Sequence, residues 1–175
     1  MKNLSLGKLT VAAVTAAAYA GISMALAPLS YGPVQLRIAE ALCILPFFLP
    51  FTAWGLFAGC VISNLLSAYG PLDVIFGSLA TLLSALCISS AGRKSGGTAV
   101  KAAACAFPAI FNGIFVGAVI ALSTAGEGAF AAAFLLNAAT VALGEAAVLY
   151  IIGLPLMIKL PKTPFFREFV RKFAK

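Results

Sequence analysis

Apolar runs long enough to cross a bilayer recur along this chain, and short polar breaks separate them. A helix needs about 20 apolar residues to span roughly 30 Å of hydrocarbon. Residues 9–27 form the first such run, and 74–91, 102–122 and 129–158 form three more. Between the first and second of these lies 41–72, which is 32 residues without a charge. As one helix it would be about 48 Å long at 1.5 Å per residue, too long for a single crossing. Pro46 and Pro50 fall inside it, and proline breaks a continuous helix. The pattern therefore predicts two short helices, 35–49 and 52–66, with a tight turn near Pro50. The expectation is an all-α membrane protein of six transmembrane helices.

Composition agrees with the pattern. The chain is 62% hydrophobic and 10% charged, with a mean hydropathy of +1.07. A soluble domain of 175 residues does not need so much apolar surface. One membrane domain, 1–158, followed by a basic amphipathic tail, 159–175, is the expected organisation. The N-terminus has signal-peptide features, since Lys2 and Lys8 precede the first apolar run. That run is 19 residues long and lacks a clear cleavage site, so it reads as a retained span.

Charge placement orients the spans. With six crossings and the N-terminus inside, 11 of the 12 basic residues fall on the inner side, and Arg37 alone falls outside. Five crossings would put Arg93 and Lys94 on the wrong side. The positive-inside rule thus predicts a multi-pass protein of the cell membrane with both termini cytoplasmic. The net charge of +7 reports topology and anionic headgroups and is no argument for nucleic acid. In the tail, Phe165, Phe166, Phe169, Val170 and Phe173 alternate with Arg167, Arg171, Lys172 and Lys175, as in a helix lying on the inner surface.

The polar exceptions converge. Tyr31 to Glu40 holds the only charges between Lys8 and Asp73. A charge near the bilayer centre costs roughly 2.5–3.5 kcal/mol on insertion scales, so one kept there points to function. Arg37 and Glu40 are three apart and share a helical face. Gln35, Arg37 and Glu40 begin the second span at its outer end. Asn64, Tyr69 and Asp73 follow at the next outer turn, and Asn112 and Asn137 lie in the outer halves of the last two spans. Together these predict an outward-facing polar pocket. The plain alternative is that each amide bonds a neighbouring helix, a role worth about 0.6 kcal/mol. Glu145 sits deeper, where it could floor the cavity, sense closure or bond a neighbour.

Enzyme chemistry finds little support. The chain has no histidine, no Ser/His/Asp set, no zinc spacing and no phosphate-cradling glycine motif, so no cofactor, metal site or catalytic residue is expected. Cys43, Cys60, Cys87 and Cys105 all lie in apolar runs and read as small buried hydrophobes. The first span carries two parallel stripes of small residues, Ala12, Ala16 and Ala20 beside Ala13, Ala17 and Gly21. Such stripes let helix backbones approach closely in lipid. They mark either an internal packing face or, as their combined width favours, a docking surface for another protein.

Three blocks of sequence resemble the QueT family of queuosine-precursor importers. They are Tyr31-Gly-Pro-Val-Gln-Leu-Arg-Ile-Ala-Glu-Ala-Leu, Gly59-Cys-Val-Ile-Ser-Asn and Leu72-Asp-Val-Ile-Phe-Gly-Ser-Leu-Ala-Thr-Leu. Asn137, Gly144-Glu-Ala and Gly153-Leu-Pro extend the resemblance over nearly the whole chain. The resemblance implies a substrate-binding S-component of an energy-coupling factor importer, with the S-component bundle fold. Its implied partners are a transmembrane coupling subunit, which would dock on the first span, and two cytoplasmic ATPases, which would supply the energy. Its implied ligand is a 7-deazaguanine. Glu40, then Glu145, would accept the two adjacent donors of the guanine-like edge. Gln35, Asn64, Asn112 and Asn137 would bond carbonyl and ring nitrogens, and Tyr31, Tyr69 or Phe111 would stack on the ring. Asp73 would suit an aminomethyl cation, and Arg37 would orient Glu40. The readings that compete are an S-component for another small vitamin and a membrane scaffold or channel subunit.

Overall fold

The structure is a computed structural model that describes residues 5–32, 35–94, 96–126 and 128–173. Lys2, Pro33 and Lys175, which entered the sequence reading, lie outside the described residues. Among the described residues every regular element is helical. The long α1, Leu6–Ala25, is followed by one turn, α2, Ala27–Ser30. Residues 35–37 are non-helical and lead into a 3-10 helix, Ile38–Ile44, that runs on into α3, Leu45–Phe48. Then come α4, Thr52–Asn64, and the longest single helix, α5, Pro71–Lys94. Helices α6, Thr98–Ala104, and α7, Ala106–Thr124, meet at Cys105. Helix α8, Phe130–Val148, passes through a π-helical turn, Leu149–Gly153, into α9, Leu154–Lys159. The chain closes with α10, Pro164–Phe173.

Four helical runs are long and apolar enough to cross a membrane: Leu6–Ala25, Pro71–Lys94, Thr98–Thr124 and Phe130–Lys162. The sequence pattern predicts six. The two remaining stretches are shorter than expected, for reasons visible in the chain. The second begins at Ile38 rather than Gln35, because the backbone at 35–37 has not yet turned helical, and it stops at Phe48 before Pro50. Its first seven residues are 3-10. Helix α4 has 13 residues and so is about 20 Å long.

The distribution of polarity is inverted relative to a water-soluble protein. Val14, Trp54, Ile62, Leu79, Leu83, Ile110, Ile114, Leu135, Leu143 and Ile151 project outward, whereas Thr15, Ser23, Asn64, Ser78, Thr81, Ser84 and Asn112 are buried. Lipid gives no hydrophobic drive between helices, so close packing and interhelical hydrogen bonds hold such a bundle together.

Two helix pairs approach through small residues. Helix α1 lies on α4, where a Cβ at Gly55 would collide with the Ala12 carbonyl and one at Gly59 would sit 2.6 Å from the Ala16 carbonyl. Helix α7 lies on α8, where a Cβ at Gly117 would sit 2.7 Å from Ala138 Cα. Helix α5 packs between α4 and α7 and joins the two pairs. Gly92 near its end admits the Phe47 carbonyl, which seats α3 against it. At that end of the bundle α10 is tied in by aromatic contacts. Phe166 meets Phe48 edge-on with ring centroids 5.2 Å apart, and Phe173 lies 6.1 Å from Phe51. Lys8 stands over the same Phe51 ring.

Candidate ligand-binding site

A knot of polar side chains occupies the interior, with contributions from α1, the 35–40 segment, α4, α5, α7 and α8. The 35–40 segment enters through an unusual backbone. Gln35 has φ 48°, in the left-handed region that β-carbon-bearing residues rarely adopt and that costs about 1–3 kcal/mol. Its N–H donates to the Gly32 carbonyl, and the Arg37 N–H donates back to the Gln35 carbonyl. This tight turn drives both side chains into the bundle, where Gln35 and Arg37 are each 1% exposed.

Glu40 lies at the centre of the knot and is fully buried. Its Oε1 accepts from the Tyr19 hydroxyl of α1 and from Thr81 Oγ1 of α5 at 3.4 Å. Its Oε2 accepts from Cys43 Sγ at 2.9 Å. Both carboxylate oxygens are thus served by protein donors. The helical-face pairing of Arg37 with Glu40 is replaced by other contacts. Arg37 Nη1 reaches Cys60 Sγ at 3.7 Å, its guanidinium stands 5.6 Å from the Tyr31 ring centroid, and Nε and Nη2 have no hydrogen-bond partner. The guanidinium lies within electrostatic reach of both Glu145 and Glu40.

Cys60 is a hub that the sequence did not reveal. Its sulfur accepts from Arg37 and from Asn64 Nδ2 at 3.4 Å and lies 3.3 Å from Thr81 Oγ1, whose one proton serves either Cys60 or Glu40. Asn64 Nδ2 also donates to the Asp73 main-chain carbonyl at 3.0 Å, which ties the end of α4 to the first turn of α5. Asn64 Oδ1 and both carboxylate oxygens of Asp73 have no partner. Across the knot, Asn112 Nδ2 of α7 donates to Glu145 Oε1 of α8 at 3.2 Å, while Asn112 Oδ1 and Glu145 Oε2 remain unpartnered. Buried polar groups are nearly always hydrogen-bonded, so this concentration of donors and acceptors without partners among the described residues is the candidate site for a ligand or for ordered water.

Other candidates lie at the margin. Half-buried Tyr31 donates its hydroxyl to the Ser63 carbonyl. Tyr69 packs on Val116, Ile120 and Val141. Asn137 is half-buried and donates to Ala133 of its own helix at 2.8 Å. Phe111 lies 6.5 Å from Phe115. The two small-residue stripes of α1 separate: Ala12 and Ala16 face Gly55 and Gly59 and Ala20 is buried, whereas Ala13, Ala17 and Gly21 are exposed. Tyr19, Cys43 and Thr81 belong to the knot but carry no sequence signal beyond their spacing. Tyr19 follows Ala12 and Ala16 on the same face of α1.

A family model described as QueT transporter matches residues 9–162. A curated relative from Lactococcus lactis subsp. cremoris (strain MG1363), named "Queuosine precursor transporter QueT", is 38% identical over 85 residues. The match takes in 47% of this chain and 50% of the relative, so the chain spans about half the length of the curated relative it matches. No solved structure matches the chain. The family match runs from the first apolar helix to the foot of the last, across the polar knot that a membrane carrier of a polar solute requires, and on it the chain belongs to the QueT transporter family.

Proposed function

We propose that this chain is the substrate-binding membrane subunit of an energy-coupling factor importer for a queuosine precursor, a 7-deazaguanine base or its nucleoside. The observation that carries the binding role is the set of orphaned groups around Arg37. The donors are Arg37 Nε and Nη2 and Gln35 Nε2, and the acceptors are Glu145 Oε2 and Asn112 Oδ1. A guanine-like edge has the complementary groups, two adjacent N–H donors beside a carbonyl acceptor. A carboxylate takes the two donors together, and a guanidinium takes the carbonyl. Glu145 is the residue for the donors, because Glu40 already holds Tyr19, Thr81 and Cys43. Glu40 then keeps the 35–40 segment in place. The stacking partner is Tyr31, beside the guanidinium.

The remaining parts of the proposal concern the membrane. Six crossings with both termini inside are supported by the 11 basic residues that such a topology gathers on one side. Energy from two ATPases through a coupling subunit is favoured by a chain that has no phosphate-cradling motif of its own. The exposed Ala13, Ala17 and Gly21 offer the coupling subunit a flat face.

Titration calorimetry of the purified chain with a panel of 7-deazaguanines, purines and small vitamins tests the binding role. A 7-deazaguanine should bind, and Glu145→Gln should weaken it roughly 10- to 150-fold, since hydrogen bonds to a charged group contribute about 1.5–3 kcal/mol. Binding of a vitamin alone would move the chain to another substrate, and binding of nothing would favour a scaffold or channel role.

A further inference from the structure

The interior of this bundle is short of positive charge. One guanidinium, Arg37, and three carboxyl groups, Glu40, Asp73 and Glu145, are each no more than 1% exposed. Every other described Lys and Arg is half-buried or exposed. Buried ions must be paired and hydrogen-bonded or they are not tolerated in their charged form. Glu40 meets this demand with Tyr19, Cys43 and Thr81, and Glu145 meets part of it with Asn112 and the nearby Arg37. Asp73 does not: among the described residues neither carboxylate oxygen has a donor.

The surroundings of Asp73 are shaped around that deficit. Asn64 turns its Nδ2 to the Asp73 main-chain carbonyl and to Cys60, which leaves Asn64 Oδ1 as a third acceptor without a donor. Position 77 is glycine, and a Cβ there would lie 2.7 Å from both Asn64 Nδ2 and Asp73 Oδ1. The missing side chain lets the amide and the carboxylate stand side by side. Tyr31 lies within electrostatic reach of both Asp73 and Arg37, so this corner is continuous with the rest of the knot. Two carboxylate oxygens with one formal negative charge suit a single cation that offers several short contacts. A primary ammonium has three donors and fits. A quaternary amine has none.

We infer that Asp73 and Asn64, packed over Gly77, form a subsite for one buried positive charge, supplied by an ammonium group on the transported solute or by a sodium ion. This deepens the proposed function and rests on it for the identity of the solute, not for the charge.

The test uses the purified chain and Asp73→Asn in detergent. In the first arm, calorimetry compares a 7-deazaguanine bearing a 7-aminomethyl group with one bearing a neutral 7-cyano group. The parent should prefer the aminomethyl compound at least tenfold, about 1.4 kcal/mol, and Asp73→Asn should erase the preference. In the second arm, thermal unfolding without organic ligand compares sodium chloride with choline chloride at equal concentration. A midpoint raised by sodium in the parent and not in Asp73→Asn assigns the charge to sodium and sustains the subsite. Equal affinities in the parent together with no sodium response overturn it, and this result needs no variant. If the parent binds neither deazaguanine, the reading of the solute falls. The subsite is then decided by the empty protein in choline: Asp73→Asn removes an unpaired buried charge and should unfold at the same or a higher temperature, whereas a clearly lower midpoint makes Asp73 a structural acceptor and overturns the inference.

Discussion

Gly55→Ala adds one methyl group at the closest contact between α1 and α4. The added Cβ would overlap the Ala12 carbonyl oxygen and would stand 3.0 Å from the Ala12 carbonyl carbon and 3.1 Å from its Cα. All three atoms are backbone, so no side chain can rotate out of the way and α1 itself must move. Overpacking of this kind costs about 1–3 kcal/mol, and the missing freedom to relax places this site at the upper end. Helix propensity works the other way, favouring Ala over Gly by about 1 kcal/mol. The expected net loss is about 2 kcal/mol, or roughly 4–8 °C in the unfolding midpoint for a chain of this length. Gly21→Ala on the partner helix α1 is the control, because a Cβ there meets nothing within 4 Å. The readout is the fraction of purified protein that remains monodisperse after heating, for parent and both variants. If Gly55→Ala survives as well as Gly21→Ala, within about a degree, α1 does not lie on α4 in this way.

Tyr19→Phe removes one donor from the buried Glu40 and should destabilise the ligand-free protein by about 1–3 kcal/mol, read as a lower thermal midpoint. The double substitution Ala13→Leu with Ala17→Leu should leave solute binding intact while abolishing co-purification with a coupling subunit, as expected if the open stripe of α1 is a docking face. Normal recovery of the assembled complex would remove that role. A cysteine introduced at Gly96 should resist an impermeant thiol reagent in intact cells and react after permeabilisation, and labelling from outside would overturn the six-span orientation.

The sequence was most readable where physics acts on long runs. Apolar length and the clustering of lysines and arginines delimit α1, α5, α7 and the continuous run from α8 to α9 to within a few residues of their positions. The rare charges between Lys8 and Asp73 also stood out, and the structure brings Gln35, Arg37 and Glu40 into one buried knot with Asn64, Asp73, Asn112 and Glu145. What stayed hidden depends on short range. Hydropathy cannot show that the chain at 35–37 is still non-helical, because a left-handed Gln35 leaves no compositional trace. It cannot separate Asn112, which reaches across to Glu145, from Asn137, which bonds its own helix at Ala133. The choice between those two is a rotamer and a rotational setting of the helix. Cys60 read as a small hydrophobe because a thiol serves equally well as filler and as acceptor. The two stripes of α1 are chemically alike, and only the presence of Gly55 and Gly59 opposite one of them decides which is covered.

The two glycine-mediated helix pairs differ in how far the chain must travel to make them. Helices α7 and α8 are neighbours in sequence, and their hairpin closes over a loop of a few residues. The α1–α4 contact joins segments some 40 residues apart, with the 35–40 turn and α3 between them. Loop closure costs more over longer separations, and non-local contacts form later. Helix α1 carries Tyr19, and α4 carries Cys60 and Asn64, so the polar knot is completed only by the late contact. Competence to bind is therefore a property of the finished bundle.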